Sequence, residues 1–162
     1  MKARHHLVCR VCGSTRLLKY IDLGLLPLAN NLEATSSAAR ASERFPLQVL
    51  FCENCYLSQL SMVVDPSVLY LYYTYRSGVN QSYVTHCRQM AAELQERYGL
   101  TADCFQVDIA GNDGTLLRKF RDEIGLKVLN VDPASNLTAV AEQAGIESLA
   151  ASGPCPFQNR LR

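Results

Sequence analysis

Phe105-Gln106-Val107-Asp108-Ile109-Ala110-Gly111-Asn112-Asp113-Gly114 sets the architecture of the second half of this 162-residue chain. Its first six residues read as a buried parallel strand, and Gly111 to Gly114 as a tight turn. Thr115 to Ile124 then reads as a helix with Leu116, Leu117 and Phe120 facing inward. A second strand, Val128-Leu129-Asn130-Val131, ends in Asp132-Pro133, and a helix from about Ser135 to Ala144 closes at Gly145. The unit is β-α-β-α, with a glycine turn after its first strand and an acid at the tip of its second.

That arrangement suits a nucleoside. Glycines let the backbone approach a ligand, and an acid such as Asp132 accepts hydrogen bonds from two ribose hydroxyls. Asp108 stands at the entrance to the turn, where a carboxylate repels pyrophosphate but suits a cationic centre and an ammonium group. The turn also lacks the full G-x-G-x-x-G of dinucleotide folds. S-adenosylmethionine, a sulfonium with a ribose and no phosphate, therefore fits better than NAD. The plainer alternative, that Asp108 and Asp132 only cap turns, stays open.

Upstream, Asp65-Pro66 opens a helix running to about Tyr72, with Asp65 as cap and Pro66 in the first turn. Tyr72-Tyr73-Thr74-Tyr75-Arg76-Ser77-Gly78 follows, dense in aromatics. It reads either as a helix end packing its rings into a core or as a loop lining a ligand site with phenol hydroxyls. Tyr83, Cys87, Met90, Ala91, Leu94 and Tyr98 recur at helical spacing, which predicts an amphipathic helix from Asn80 to Tyr98 closed by Gly99. His86 beside that stripe reads as a packed or surface residue.

The first half carries a different signal. Cys9-Arg10-Val11-Cys12 and Cys52-Glu53-Asn54-Cys55 are two C-x-x-C pairs. Each puts two thiolates on one tight turn, and two such turns give the closed S4 shell of structural zinc. A redox pair or four unrelated buried thiols are the alternatives. The connection between the pairs is longer than in common zinc ribbons, so the insert has to fold back. Four thiolates leave no open position for water or substrate, which makes the zinc architectural. Around the pairs, Arg16 to Ile21 reads as a strand stopped by Asp22-Leu23-Gly24, and Leu25 to Asn31 as a turn-rich loop. Thr35 to Glu43 reads as a surface excursion, and Phe45 to Phe51 and Leu57 to Val63 as strands flanking the second pair.

Composition narrows the classes. The net charge is +1 with no basic run, so nucleic acid has no electrostatic footprint here. No stretch is apolar and long enough to cross a bilayer. Seven cysteines without a leading apolar h-region fit a reducing cytoplasm with metal-bound and free thiols. Cys87 and Cys104 read as small core residues, and Cys155 is left over.

Taken together, these stretches resemble the sugar C-methyltransferase family, whose members methylate nucleotide-linked 4-keto-deoxysugars. The resemblance is carried by Cys9 to Gly13, Asp22-Leu23-Gly24 with Pro27 to Asn30, and Phe51 to Cys55 with Gln59-Leu60. It continues through Tyr73 to Gly78, Asp108 to Leu117, and Val131 to Ala134 with Asn136. It spans about residues 7 to 147. Gly111 departs from it, standing where the family usually has Ser, a change expected to loosen the turn mildly.

The resemblance implies a zinc-ribbon-like β module followed by the first β-α-β-α units of a Rossmann-like methyltransferase domain, an α+β chain. The expected segments are 1–65 (zinc-binding), 66–100 (helical connector with the aromatic loop), 101–150 (S-adenosylmethionine-binding) and 151–162 (a non-matching tail). It implies zinc on Cys9, Cys12, Cys52 and Cys55. The cofactor would meet Ser77, Asp108, Ala110, Gly111, Asn112, Asp113, Gly114 and Asp132. Tyr73 and Tyr75 are the candidates for catalysis, and a nucleotide-sugar is the expected partner. The family's proposed histidine base matches nothing in this chain. Its end is expected to be a truncation or frame shift, and the chain an inactive N-terminal fragment with two legible strands in its parallel sheet. A non-catalytic zinc-binding regulatory module and an NAD-dependent enzyme with structural zinc are the competing functions.

Overall fold

The computed structural model describes residues 2–151, and the tail expectation lies outside them. The chain divides between Leu69 and Tyr70 into two compact units.

The first unit is built from β1 (Ala3–His5), β2 (Leu17–Pro27), α1 (Ser36–Ala41), β3 (Arg44–Cys52), β4 (Ser58–Leu60) and β5 (Met62–Val64). Strands β2, β3 and β4 form an antiparallel sheet in that order, while β1 pairs with β5. The expected stop at Asp22-Leu23-Gly24 is instead a bulge inside β2. An Asp22 carboxylate oxygen accepts from the Gly24 N–H at 3.0 Å, the other from the Gln48 side chain of β3 at 2.9 Å. The turn chemistry is absorbed in a register shift and pairing resumes from Leu25 to Pro27.

One more expectation is refined here and one is corrected. The excursion at Thr35 to Glu43 contains a helix, because Thr35 caps it through an Ala38 N–H bond of 3.2 Å and the following residues are mostly alanine and serine. The strand expected over Leu57 to Val63 is two strands. Ser61 breaks it, donating to the Gln48 carbonyl and accepting from the His6 N–H.

Helix α2 (Pro66–Tyr70) spans the boundary between the units, capped by Asp65 but shorter than expected. The second unit continues with a short 3-10 turn (Ser77–Val79), α3 (Gln81–Tyr98), β6 (Phe105–Ile109) and α4 (Thr115–Lys119). A π-helical turn (Phe120–Ile124), β7 (Lys127–Asp132), α5 (Ser135–Gln143) and β8 (Ser148–Ala150) complete it. Asn80 caps α3 with bonds to Ser82 N and Tyr83 N, and Gly99 ends it in the left-handed region.

The sheet is parallel, ordered β6-β7-β8. It has three strands among the described residues, not two; β8 is only three residues long and too short to carry a legible period. The expected single helix from Thr115 to Ile124 widens into the π turn, where the Gly125 N–H reaches back five residues to the Phe120 carbonyl. Ala91, Leu117, Phe120, Leu126, Val128, Ala141 and Ile146 make the core, with Cys104 packed against it. Cys87 is also fully buried, and burial pushes its thiol up from the ordinary range.

Candidate metal centre and glycine-turn site

Each C-x-x-C pair folds into a knuckle through the same two backbone bonds. In the first, Cys9 N–H donates to the Ser14 carbonyl (2.8 Å) and Gly13 N–H to the Cys9 carbonyl (3.0 Å). In the second, Cys52 N–H donates to Leu57 (2.8 Å) and Tyr56 N–H to Cys52 (2.8 Å). The residue after the pair must adopt positive φ, +71° at Gly13 and +64° at Tyr56. Glycine does this freely, whereas a tyrosine there carries steric strain. Only the first knuckle therefore announces its turn in the sequence.

The structure brings Cys9, Cys12, Cys52 and Cys55 together, all four Sγ atoms lying within 4.8 Å of one another. Cys9 and Cys55 sulfurs are 3.5 Å apart, and those of Cys12 and Cys52 are 3.6 Å apart. A tetrahedron with Zn–S of about 2.3 Å has edges of about 3.8 Å, so the donor set fits zinc in number, type and spacing. Asn54 donates to Cys12 Sγ at 3.5 Å. The thiols divide sharply as acids. The Ser14 backbone N–H, and after it the Asn54 amide, bring Cys12 down to about 6. A backbone hydrogen bond with Cys12 lowers Cys9 as well. At Cys55 the Leu57 N–H pulls the same way, but burial and the three neighbouring sulfurs outweigh it and push the thiol up to about 12. Four sulfurs this close ionise together only around a cation.

Gln59, which the resemblance included without a role, supports the site. It is buried, takes the Arg10 N–H on Oε1 at 2.9 Å and donates to the Val8 carbonyl at 3.1 Å. Strand β4 thus clamps the first knuckle from both sides.

The second cluster surrounds the turn after β6. Ala110 and Asn112 both take positive φ, and Ala110 N–H bonds the Val131 carbonyl at 2.7 Å. Asp132 is buried at the tip of β7. One of its oxygens accepts from Asn112 N–H (2.9 Å) and the other from Ala134 N–H (2.8 Å). Asp108 lies half-buried on the adjacent strand. Burial, and secondarily the Asp132 charge, raise its carboxyl above the ordinary value of 3.8.

The same turn holds the aromatic segment. Asn112 accepts from Ser77 N–H at 3.0 Å and donates to the Tyr75 carbonyl at 3.1 Å. Asp113, 2 % exposed, accepts from Gly78 N–H at 2.9 Å and from the Thr115 hydroxyl. Asn136 bonds both the backbone N–H and the carbonyl of Tyr73, at 3.1 and 2.8 Å. Tyr73, Tyr75 and Ser77 are therefore fixed beside Gly111–Gly114 by amide and carboxylate side chains. Tyr73 is half-buried and Tyr75 exposed, while His86 lies exposed on α3 against Tyr83.

Gly111 is a correction. A Cβ at this position would collide with Asn130 Oδ1 and lie 2.9 Å from Asp108 Oδ2. Glycine here does not loosen the turn; it makes room for Asn130, whose Nδ2 donates to the Asn112 carbonyl at 3.1 Å. Asn130 is fully buried and its Oδ1 has no hydrogen-bond partner among the described residues. The Asn130 side chain and the Asp108 carboxyl therefore converge on the space beside Gly111. Asp108 and Asp132 thus put two carboxylates beside the turn, a surrounding that suits a ligand carrying donors or positive charge.

No helix among the described residues is long and apolar enough to cross a membrane.

Comparison with known proteins bears directly on the cysteine cluster. Residues 9–70 match the family described as "Putative zinc binding domain", a domain of methyltransferases. The chain is 38% identical over 143 residues to C-methyltransferase NovU of Streptomyces niveus. That alignment covers 88% of this chain and 34% of NovU, so the chain spans about a third of that relative's length. Streptomyces venezuelae DesVI, a solved structure, aligns at 17% identity with a TM-score of 0.38 over 46% of this chain and 31% of its own, too slight a likeness to bear on the assignment. The relationship read from the motifs thus stands on the zinc-binding module and on NovU: the chain carries a zinc-binding domain of the kind found in methyltransferases and is related to a C-methyltransferase along most of its own length.

Proposed function

We propose that the chain is part of an S-adenosylmethionine-dependent C-methyltransferase acting on a nucleotide-linked 4-keto-deoxysugar in the cytoplasm. The observation that carries the reading is the glycine turn with Asp132 buried at the adjacent strand tip and the Tyr73–Ser77 segment tied to it. When bound, S-adenosylmethionine supplies an electrophilic methyl group on a positively charged sulfur.

The rest falls to the protein. Asp132 holds the turn through Asn112 N–H, and its remaining lone pairs are available to ribose hydroxyls. Asp108 places negative charge beside the turn and excludes phosphate. Backbone from Ala110 to Gly114, with Ser77, lines the cofactor side, and the Tyr73 and Tyr75 phenols are the candidates to orient a sugar. Carbon methylation next to a ketone requires removal of an acidic α proton by a positioned base. Among the described residues no histidine stands at the turn, so the 162-residue chain alone is expected to give no turnover with a labelled methyl donor and a 4-keto-deoxysugar nucleotide. Zinc on the four thiols is architectural.

Thermal shift tests the cofactor. S-adenosylmethionine or its demethylated product should stabilise the protein and NADH should not; stabilisation by NADH alone would favour the dinucleotide alternative, and by none of them a zinc-binding regulatory module. Asp132→Ala should weaken S-adenosylmethionine binding by about 1.5–3 kcal/mol, the scale of hydrogen bonds to a charged group. Equal affinities by calorimetry would retire the assignment.

A further inference from the structure

The four clustered thiols differ in what water can reach. Cys9 and Cys52 are buried, Cys55 is half-buried and Cys12 is exposed. Cys87 is fully buried and Cys104 packs against the core of the second unit. Among the described residues, Cys12 is therefore the one exposed thiol.

The sulfur contacts add a direction. The approach of Cys9 to Cys55 at 3.5 Å and that of Cys12 to Cys52 at 3.6 Å each run from one knuckle to the other. The first contact has no exposed member, whereas the second joins an exposed sulfur to a sealed one. A diffusible reagent thus meets Cys12 first, and the sulfur behind it belongs to Cys52.

The surroundings of Cys12 suit a reactive thiolate. Asn54 Nδ2 donates to its Sγ at 3.5 Å, and Arg16 Nη2 donates in turn to Asn54 Oδ1 at 3.3 Å. An N–H with a guanidinium behind it, open to solvent, is the electropositive and accessible setting in which thiolates are oxidised selectively.

We propose that Cys12 is the entry point of a thiol–disulfide switch on the zinc centre, with a hydroperoxide as its reagent. The Cys12 thiolate attacks one peroxide oxygen; an S–O bond forms, the O–O bond breaks and hydroxide leaves, giving a sulfenic acid. The Cys52 thiolate then attacks that sulfur; an S–S bond forms, the S–O bond breaks and a second hydroxide leaves. Solvent protons convert both hydroxides to water, and the two thiolates have together reduced one peroxide. Cys9 and Cys55 alone do not hold the ion, so it is released, while the new bond still ties the two knuckles together. Reduction restores all four donors. The switch uses no residue of the glycine turn and stands or falls apart from the cofactor reading.

Limited hydrogen peroxide on the zinc-loaded chain tests it, in a Cys155→Ser background that removes the one thiol outside the described residues. Peptide mass spectrometry should find a Cys12–Cys52 disulfide growing in step with zinc released to a colorimetric chelator. A dithiol reductant with added zinc should restore the metal content. Dimedone, which traps sulfenic acids, should label Cys12 first. Cys12→His keeps a zinc ligand but no oxidisable sulfur, and once zinc-loaded it should release metal to peroxide at least about tenfold more slowly. The proposal is overturned if the first disulfide lies within a knuckle or joins Cys9 to Cys55, if dimedone labels another cysteine first, or if zinc stays bound after Cys12 is oxidised. It is equally overturned if zinc-loaded Cys12→His releases its metal as fast as the parent. Peptide mapping of the parent decides the matter on its own should that variant fail to hold zinc.

Discussion

The two units of this chain solve the problem of small size in opposite ways. In the first, the buried residues are Cys9, Cys52, Gln59 and Ser61, while Leu18, Tyr20, Leu23 and Leu25 along β2 are exposed. In the second, Leu117, Phe120, Leu137 and Ile146 are almost completely buried and helices cover a parallel sheet. A sheet with so little apolar burial has weak hydrophobic support. The first unit is therefore organised around its four thiols, and the second around its core. The difference teaches where each unit is vulnerable: one to chelation and acid, the other to cavities.

The comparison breaks most visibly on metal removal. Chelation under reducing conditions, or Cys52→Ser, should abolish zinc binding and unfold the first unit, because metal binding and folding are one equilibrium in such modules. Far-ultraviolet helical signal from α3 and α5 should persist. A Cys52→Ser protein with an unchanged melt and no metal would contradict the assignment. The next largest effect belongs to Phe120→Ala, which should destabilise the second unit by about 3–5 kcal/mol and leave zinc stoichiometry untouched. Loss of zinc in that variant would show that the units do not stand on separate supports.

Smaller changes sharpen the picture within the second unit. Gly111→Ser should destabilise it by about 1–3 kcal/mol through overpacking against Asn130, and adding Asn130→Ala should recover much of that loss. A double-mutant cycle measures the coupling; strictly additive effects would mean the two side chains do not share the space. The smallest effect concerns pH. Because the folded state holds Asp108 above its ordinary value, it binds more protons than the unfolded chain across the interval between the two. Stability therefore falls as pH rises from about 3.8 towards the raised value. Asp108→Asn should remove that decline, stabilising the protein at neutral pH and making no difference below the ordinary carboxylate range. A denaturation series across acidic pH shows whether the two curves converge there.

Legibility in the sequence followed chemistry more than shape. The doubled C-x-x-C identified the metal cluster because thiolate pairs at that spacing have few other uses. The strand–turn–helix–strand around Gly111 was readable because β6 and β7 are largely apolar runs with glycines after the first and an acid at the tip of the second. What escaped was set by partners distant in sequence. Strand β2 continues through a turn signal because β3 offers it a ladder on the far side. Gln59 looks like any surface glutamine until its amide is seen to hold Val8 and Arg10. Tyr56 gives no hint of its positive φ, since tyrosine is a poor choice there and only the knuckle imposes it. Asn130 reads as a polar interruption in a strand. Its reason is Gly111, on the other side of the strand pair.

The repeated backbone plan of the knuckles has a consequence for assembly order during synthesis. Residues 9–14 contain every hydrogen bond their knuckle needs, so a two-thiolate claw is complete while the ribosome is still making the insert. The closing pair, and the Gln59 clamp, arrive some forty residues later. Elongation at about 5–20 residues per second leaves an interval of roughly two to eight seconds in which a metal can be held by only half its shell. A singly anchored ion is open to exchange during that interval, and closure of the second knuckle ends it.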